Sequence, residues 1–172
     1  YLYRTPKSFK IDRVMNTFER VIKRAFDFTL ALVSLIFFSP LIALIALLIK
    51  WEDSKGDVIY RQERIGYKGK PFTLYKFRSM RMDAEAGNRP QLFTDGDSRL
   101  TKVGAFIRAH HLDEFPQLWN VIKGEMSFVG PRPERQFFID QIMERNPDYV
   151  RLYTVRPGLF SYATLYNGYT DT

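Results

Sequence analysis

Between Phe28 and Ile49 the chain reads FTLALVSLIFFSPLIALIALLI, about 22 residues without a charge and long enough as a helix to cross roughly 30 Å of hydrocarbon. A secretory signal does not fit, because the apolar stretch is too long, starts too far from Tyr1 and is followed by no small-residue cleavage site. Near its middle stand Ser39 and Pro40. Proline removes one backbone donor and pushes against the carbonyl four residues earlier, so a break is expected there. Two arrangements satisfy this pattern. One is a kinked spanning helix, since proline is tolerated in such helices. The other is a re-entrant hairpin whose half-helices return to one face, with Ser39 bonding to freed backbone groups. Arg20, Lys23 and Arg24 precede the run, while Lys50, Lys55, Arg61, Arg64 and Lys68 follow it, so both ends favour the cytoplasm and the re-entrant form.

The flanks divide the chain into three stretches. Residues 1–27 form an amphipathic or linker segment, in which Phe9, Val14, Phe18, Val21 and Phe26 recur among Lys and Arg at helical spacing. Residues 28–50 form the membrane helix. Residues 51–172 form a single region on the cytoplasmic side, for which Val58 to Arg64 and Pro71 to Arg78 predict a β-hairpin around the turn at 66–70. The polar stretch from Arg81 to Ser98 reads as a loop. Short helices are predicted over Thr101–Ala109, Asp113–Lys123 (stopped by Gly124) and Glu134–Arg145. Pro131 and Pro133 hold the intervening backbone extended. The fold class is therefore α+β, mainly helical with a β-hairpin, and no strand-helix alternation supports a doubly wound sheet.

A net charge of +7 points to an anionic partner, and the chain holds no cysteine, which excludes disulfides and thiolate metal sites. Nucleic acid is the least favoured partner, because no nucleic-acid module is recognisable. Adjacent His110 and His111 do not make a metal site, since sequence neighbours rarely point at one ion.

The candidate chemistry lies at Asp113 and Glu114. Asp is a favoured helix N-cap and Glu a favoured first-turn residue, so capping alone accounts for them. The same position attracts phosphate and keeps a carboxylate ionised, which suits Asp113 as a nucleophile towards phosphorus and Glu114, with Asp113, as ligand of a magnesium ion. Candidate phosphate-binding cations are Arg61, Arg64, Lys76, Arg78, Arg108, Arg132 and Arg156. Arg132 stands apart because its proline-locked backbone lessens the entropy lost on clamping a phosphate.

Several strings together resemble the bacterial sugar transferases, also called monotopic phosphoglycosyl transferases or polyprenyl glycosylphosphotransferases. They are KRAFD at 23–27, Ser39-Pro40, RQERIG at 61–66, YKFRSM at 75–80, LDEFPQLWNVIKGEMSFVGPRPE at 112–134 and RPG at 156–158. The resemblance implies a re-entrant helix broken at Ser39-Pro40 and a magnesium-dependent reaction in two steps. Asp113 would attack the β-phosphate of a UDP-sugar, release UMP and hold the sugar phosphate covalently. Polyprenyl phosphate, in practice undecaprenyl phosphate, would then accept it, as the first membrane step of O-antigen, capsule or exopolysaccharide assembly. The implied place is one leaflet of the bacterial inner membrane, with the catalytic region facing the cytoplasm, and a homodimer is left open. The chain departs from the family pattern at His111, where a small hydroxyl residue is usual, and after Gly158, where RPG(I/L)TGWAQVNGR is replaced by RPGLFSYATLYNGY. Further family sequence is expected on both sides of the fragment.

Overall fold

The computed structural model describes residues 15–81 and 97–161. The residues before Met15 in the expected amphipathic segment, and most of the polar stretch after Arg81, lie outside these. Helix α1 (Thr17–Phe37) opens on a reciprocal cap: Glu19 N donates to the Asn16 side chain at 2.8 Å, and Asn16 N donates to the Glu19 carboxylate at 2.9 Å. It runs without interruption from its basic first turns into the apolar run. Helix α2 (Ser39–Glu52) follows after a single residue, Phe38, and the two axes are bent by 61°. Pro40 has no N–H for the carbonyl of Ile36, and the Ser39 hydroxyl donates to that carbonyl instead at 2.7 Å. The expected break and its hydroxyl patch are therefore both present. Among the described residues no single helix is long and apolar enough to cross a bilayer, whereas the bent pair together has the required length and composition.

Each arm buries a narrow stripe and leaves the rest bare. Phe37, Leu47 and Trp51 are 74%, 68% and 85% exposed, which is costly in water for side chains of this size. The hairpin consists of β1 (Ile59–Ile65) and β2 (Pro71–Phe77), antiparallel from Ile59 opposite Phe77 to Ile65 opposite Pro71. Its turn needs two left-handed residues, Lys68 at φ 59° and Gly69 at φ 70°. Under the hairpin, Ala31 of α1 packs with Leu74, Leu118, Val121 and Met126. Ile45 and Ile49 of α2 pack with Phe77 and Ile107. Phe115 touches both clusters, so the two arms share one aromatic wedge.

Helix α3 (Lys102–Ala109) is capped twice. Thr101 accepts from Gly104 N at 2.9 Å, and the Glu52 carboxylate at the end of α2 accepts from Lys102 N at 2.7 Å and Val103 N at 3.0 Å. The close approach of Gly104 is obligatory, since a Cβ there would lie 1.9 Å from Ser79 O. The helix expected from Asp113 begins later, as α4 (Gln117–Lys123). Pro116 cannot donate and crowds the carbonyl of Leu112, so residues 112–114 wind into a separate 3₁₀ turn, with Phe115 N bonding to Leu112 O. Asp113 is thus inside a turn and caps no helix. Gly124 ends α4 at φ 81° as expected. Helix α5 (Gln136–Arg145) starts two residues later than the sequence suggests, because Glu134 O still accepts from Ile65 N on the hairpin.

One pairing was not anticipated. Strand β3 (Ser127–Val129) lies parallel to β4 (Gly158–Phe160), and a Cβ on Gly158 would sit 2.1 Å from Gly130 N. Buried Asn120 stitches α4 to the free edge of β2, accepting from Tyr75 N at 3.1 Å and donating to Thr73 O at 2.7 Å.

Candidate active site

The Asp113-Glu114 turn hangs between the C-terminal end of α3 and the start of α4. His111, at φ 55°, reverses the chain after α3; a non-glycine residue held in this left-handed region stores local strain of the kind that gathers at functional sites. The far ends of both flanking helices are gripped by the apolar arms. Glu52 holds the N-terminus of α3, and Arg24 of α1 donates to the carbonyls of Val121 and Ile122, at 2.5 Å each, at the C-terminus of α4. Between them, the ring of Phe38 at the break lies 5.0 Å from that of Phe115. The carboxylate pair is therefore referenced to the bend of the apolar segment on three sides.

Asp113 is only 5% exposed. Burial pushes its carboxyl above the ordinary carboxylate range; the Lys76 ammonium and the Arg108 guanidinium pull the other way, and neighbouring Glu114 adds to the rise. Glu114 accepts from Lys76 Nζ at 2.8 Å. Of these groups, Lys76 and Glu114 line a shallow cleft open to solvent, together with Arg64, Gln117, Arg132, Pro133 and Ser161 among others, while Asp113 lies buried behind Glu114. Arg64 is fixed in place by Pro133 O at 3.0 Å and by Glu134 at 3.1 Å, and Glu134 also faces Arg132 at 3.5 Å. The extended backbone set by Pro131 and Pro133 thus carries Arg132 and its acidic partner to the same rim.

Among the sequence-predicted cations, then, Arg64, Lys76 and Arg132 meet at the cleft, and Arg108 acts on Asp113 from α3. The other three are engaged elsewhere. Arg61 points at Asp57, 3.9 Å away and largely solvated. Arg78 is buried against Asp53 at 2.6 Å, tying the hairpin to the end of α2. Arg156 donates to Gly124 O at 2.8 Å and lies over the Tyr67 ring. Two further residues carry weight that residue type alone did not reveal. Asp27, buried in α1, accepts from Lys23 Nζ at 3.0 Å, Ser127 Oγ at 2.8 Å and Phe128 N at 3.3 Å, which moors β3 to the arm. Gln117 places a carboxamide in the cleft wall; a glutamine amid the apolar residues of a short helix was the available signal.

For magnesium, the donor set is two adjacent carboxylates. Among the described residues no three Asp, Glu or His side chains converge. Magnesium keeps several waters and binds through one or two carboxylates plus substrate phosphates, so the pair suits it in company with a diphosphate.

A model of the bacterial sugar transferases matches residues 18–172. The chain belongs to the bacterial sugar transferase family. Over 148 residues it is 44% identical to the UDP-N-acetylgalactosamine-undecaprenyl-phosphate N-acetylgalactosaminephosphotransferase of Aeromonas hydrophila, covering 86% of this chain and 34% of that protein. Over 163 residues it is 40% identical to the UDP-glucose:undecaprenyl-phosphate glucose-1-phosphate transferase of Escherichia coli (strain K12), covering 94% of this chain and 35% of the relative. A Caulobacter vibrioides protein with the same name as the latter is 42% identical over 137 residues, covering 80% of this sugar transferase and 51% of its own length. This sugar transferase chain thus spans about a third of the length of the first two relatives.

Proposed function

We propose that this chain transfers a sugar phosphate from a UDP-sugar to undecaprenyl phosphate at the cytoplasmic face of the bacterial inner membrane, as the first lipid-linked step of O-antigen, capsule or exopolysaccharide synthesis. The observation that carries the reading is the placement of Asp113. Its carboxylate is buried next to the basic cleft formed by Arg64, Lys76 and Arg132, on a turn wedged by Phe115 against the break of the apolar pair. A water-soluble diphosphate and a lipid phosphate need such a meeting point. The bent pair supports an arm that enters one leaflet and returns, since both of its ends are basic and both pack on the same soluble half.

In the first step an oxygen of Asp113 bonds to the β-phosphorus, the bond from that phosphorus to the oxygen bridging the two phosphates breaks, and UMP leaves with the electron pair. In the second step a phosphate oxygen of undecaprenyl phosphate bonds to the same phosphorus and the acyl phosphate bond breaks. The products are the lipid diphosphate sugar and the free carboxylate. Splitting the transfer this way replaces one difficult encounter between water-borne and lipid-borne substrates by two easier ones. Lys76, Arg64 and Arg132 hold the negative oxygens, and burial keeps water from competing for the intermediate. Asp113 and Glu114 would hold magnesium, which when bound spreads the charge of the diphosphate.

The test is intact-protein mass measurement after mixing with magnesium and a panel of UDP-sugars without lipid acceptor. A mass gain of one sugar phosphate, mapped to Asp113 and absent from Asp113→Asn, is expected. Failure of every donor to give an adduct or UMP refutes the covalent route.

A further inference from the structure

Two of the cations that line the cleft share one acid. Glu134 accepts from Arg64 Nη1 at 3.1 Å through one carboxylate oxygen and faces Arg132 Nε at 3.5 Å through the other. Its backbone is tied to the same place, since Ile65 N, next to Arg64 on the hairpin, donates to Glu134 O at 3.0 Å. The cleft wall includes Arg64, Arg132 and the intervening Pro133 but not Glu134 itself. The carboxylate is therefore set behind the two guanidiniums, away from the surface that a ligand meets.

By charge alone this acid is misplaced, because a negative group beside the cations of the cleft weakens their hold on a diphosphate. Order argues the other way. Two guanidiniums at one rim repel each other, and each rides on a long stem whose rotamers must be frozen before it can grip. Burial lowers the Arg64 guanidinium from its ordinary value, Glu134 opposes that fall, and the like charges of Arg132 and Arg135 add to it.

We infer that Glu134 is a positioning residue that presets Arg64 and Arg132 as a two-armed clamp for the diphosphate of the donor; this rests on the transferase reading above. A carboxylate offers one oxygen to each guanidinium, so a single planar group fixes the spacing between them. Arg64 is steadied further by Pro133 O, which accepts from Nη1 at 3.0 Å, and by Gln62 Oε1, which accepts from Nε at 2.9 Å. Arg132 in turn stands between Pro131 and Pro133, whose rings stiffen its backbone. Each arginine that arrives already ordered is worth about twofold to tenfold in affinity. A carboxylate neutralised by two partners projects little field into a cleft open to water and salt, so the gain from order outweighs the repulsion.

The experiment measures binding of UDP, with magnesium present, to the purified chain in detergent. It compares the wild type with Glu134→Gln, Glu134→Asp, Arg132→Ala and the double variant of Arg132→Ala with Glu134→Gln, and thermal unfolding is followed alongside. Two freed arginines predict binding weaker by about fivefold to a hundredfold in Glu134→Gln. Loss of a negative charge alone predicts tighter binding, so the sign decides. Glu134→Asp keeps the charge on a stem one methylene shorter and should still lose about threefold, which charge alone does not produce. With one arm of the clamp already gone in Arg132→Ala, Glu134→Gln should cost a smaller factor than in the wild type; a general loosening of the fold would carry the same factor into both. UDP held by Glu134→Gln as tightly as by the wild type, or more tightly, overturns the inference, and so does an undiminished cost in Arg132→Ala. If Glu134→Gln does not fold, Glu134→Asp decides: a loss supports the clamp and an unchanged affinity overturns it. A wild type that neither binds UDP nor releases UMP from any UDP-sugar sinks the transferase reading instead, whereas wild-type binding matched by the variants sinks the role of Glu134 alone.

Discussion

The Lys76–Glu114 pair is the part of the site whose energetics follow most directly from geometry. The two charges are 2.8 Å apart, with side chains 20% and 15% exposed. At an effective dielectric of about 20 their attraction is about 6 kcal/mol, much of which offsets the loss of hydration of two ions. Lys76→Met takes the cation away from Glu114 and leaves two neighbouring carboxyl groups, Glu114 and Asp113, facing each other, at a cost of about 3 kcal/mol, the low end for breaking a buried pair. Glu114→Gln costs about 2 kcal/mol, less because a lysine stem can carry its ammonium towards water. The double variant removes both charges together and should cost about 3 kcal/mol rather than 5, a coupling of about 2 kcal/mol. Urea unfolding of all four proteins in the same detergent measures the cycle, and each kcal/mol corresponds to about 3 °C in Tm for a chain of this size. Costs that add to within about 0.5 kcal/mol would refute the reasoning, because independent sites behave that way.

Asp113→Asn should abolish UMP release yet raise stability at neutral pH by about 1 kcal/mol, the usual scale when a functional group at odds with its surroundings is neutralised. Burial lifts the folded carboxyl, so the native state binds more protons than the unfolded one between the unfolded value near 3.9 and the folded one; the charge costs stability above that window and nothing below it. The advantage of Asn therefore fades as pH falls, which thermal unfolding across pH checks, and wild-type turnover loses its nucleophile as pH drops through the raised value. Arg24→Ala removes two charge-assisted hydrogen bonds from the end of α4 and should cost about 2 kcal/mol by the same unfolding assay. Gly104→Ala places a methyl on Ser79 O and should cost about 3 kcal/mol, as over-packing against rigid backbone does.

The elements legible in the sequence are those set by local chemistry. Ser39-Pro40 within an uncharged run announces a break, Gly124 a helix end, and the alternation flanking residues 66–70 a hairpin, because each signal acts over a few residues. Asp113 looked like a cap for the same reason: local rules favour it there, but they do not weigh the obstruction of Pro116 against the strained reversal at His111. The parallel pairing of β3 with β4 joins three-residue strands far apart in the chain, and its determinant is the close approach of Gly130 and Gly158, which no local pattern encodes. The cationic residue types were readable, while their partition was not. Asp53 and Glu134 decide it, holding Arg78 at the end of α2 and Arg64 at the cleft, and those acids are distant in sequence from the arginines they hold.

Glu52 and Arg24 belong to opposite arms of the broken helix, one anchoring each flank of the carboxylate turn. Opening the elbow would drag those anchors apart and slacken the loop slung between them. On the proposed function, the angle of the elbow and the reactivity of Asp113 share a single mechanical coordinate, so replacing Ser39 and Pro40 with good helix formers is expected to produce a protein that still partitions into lipid but no longer releases UMP.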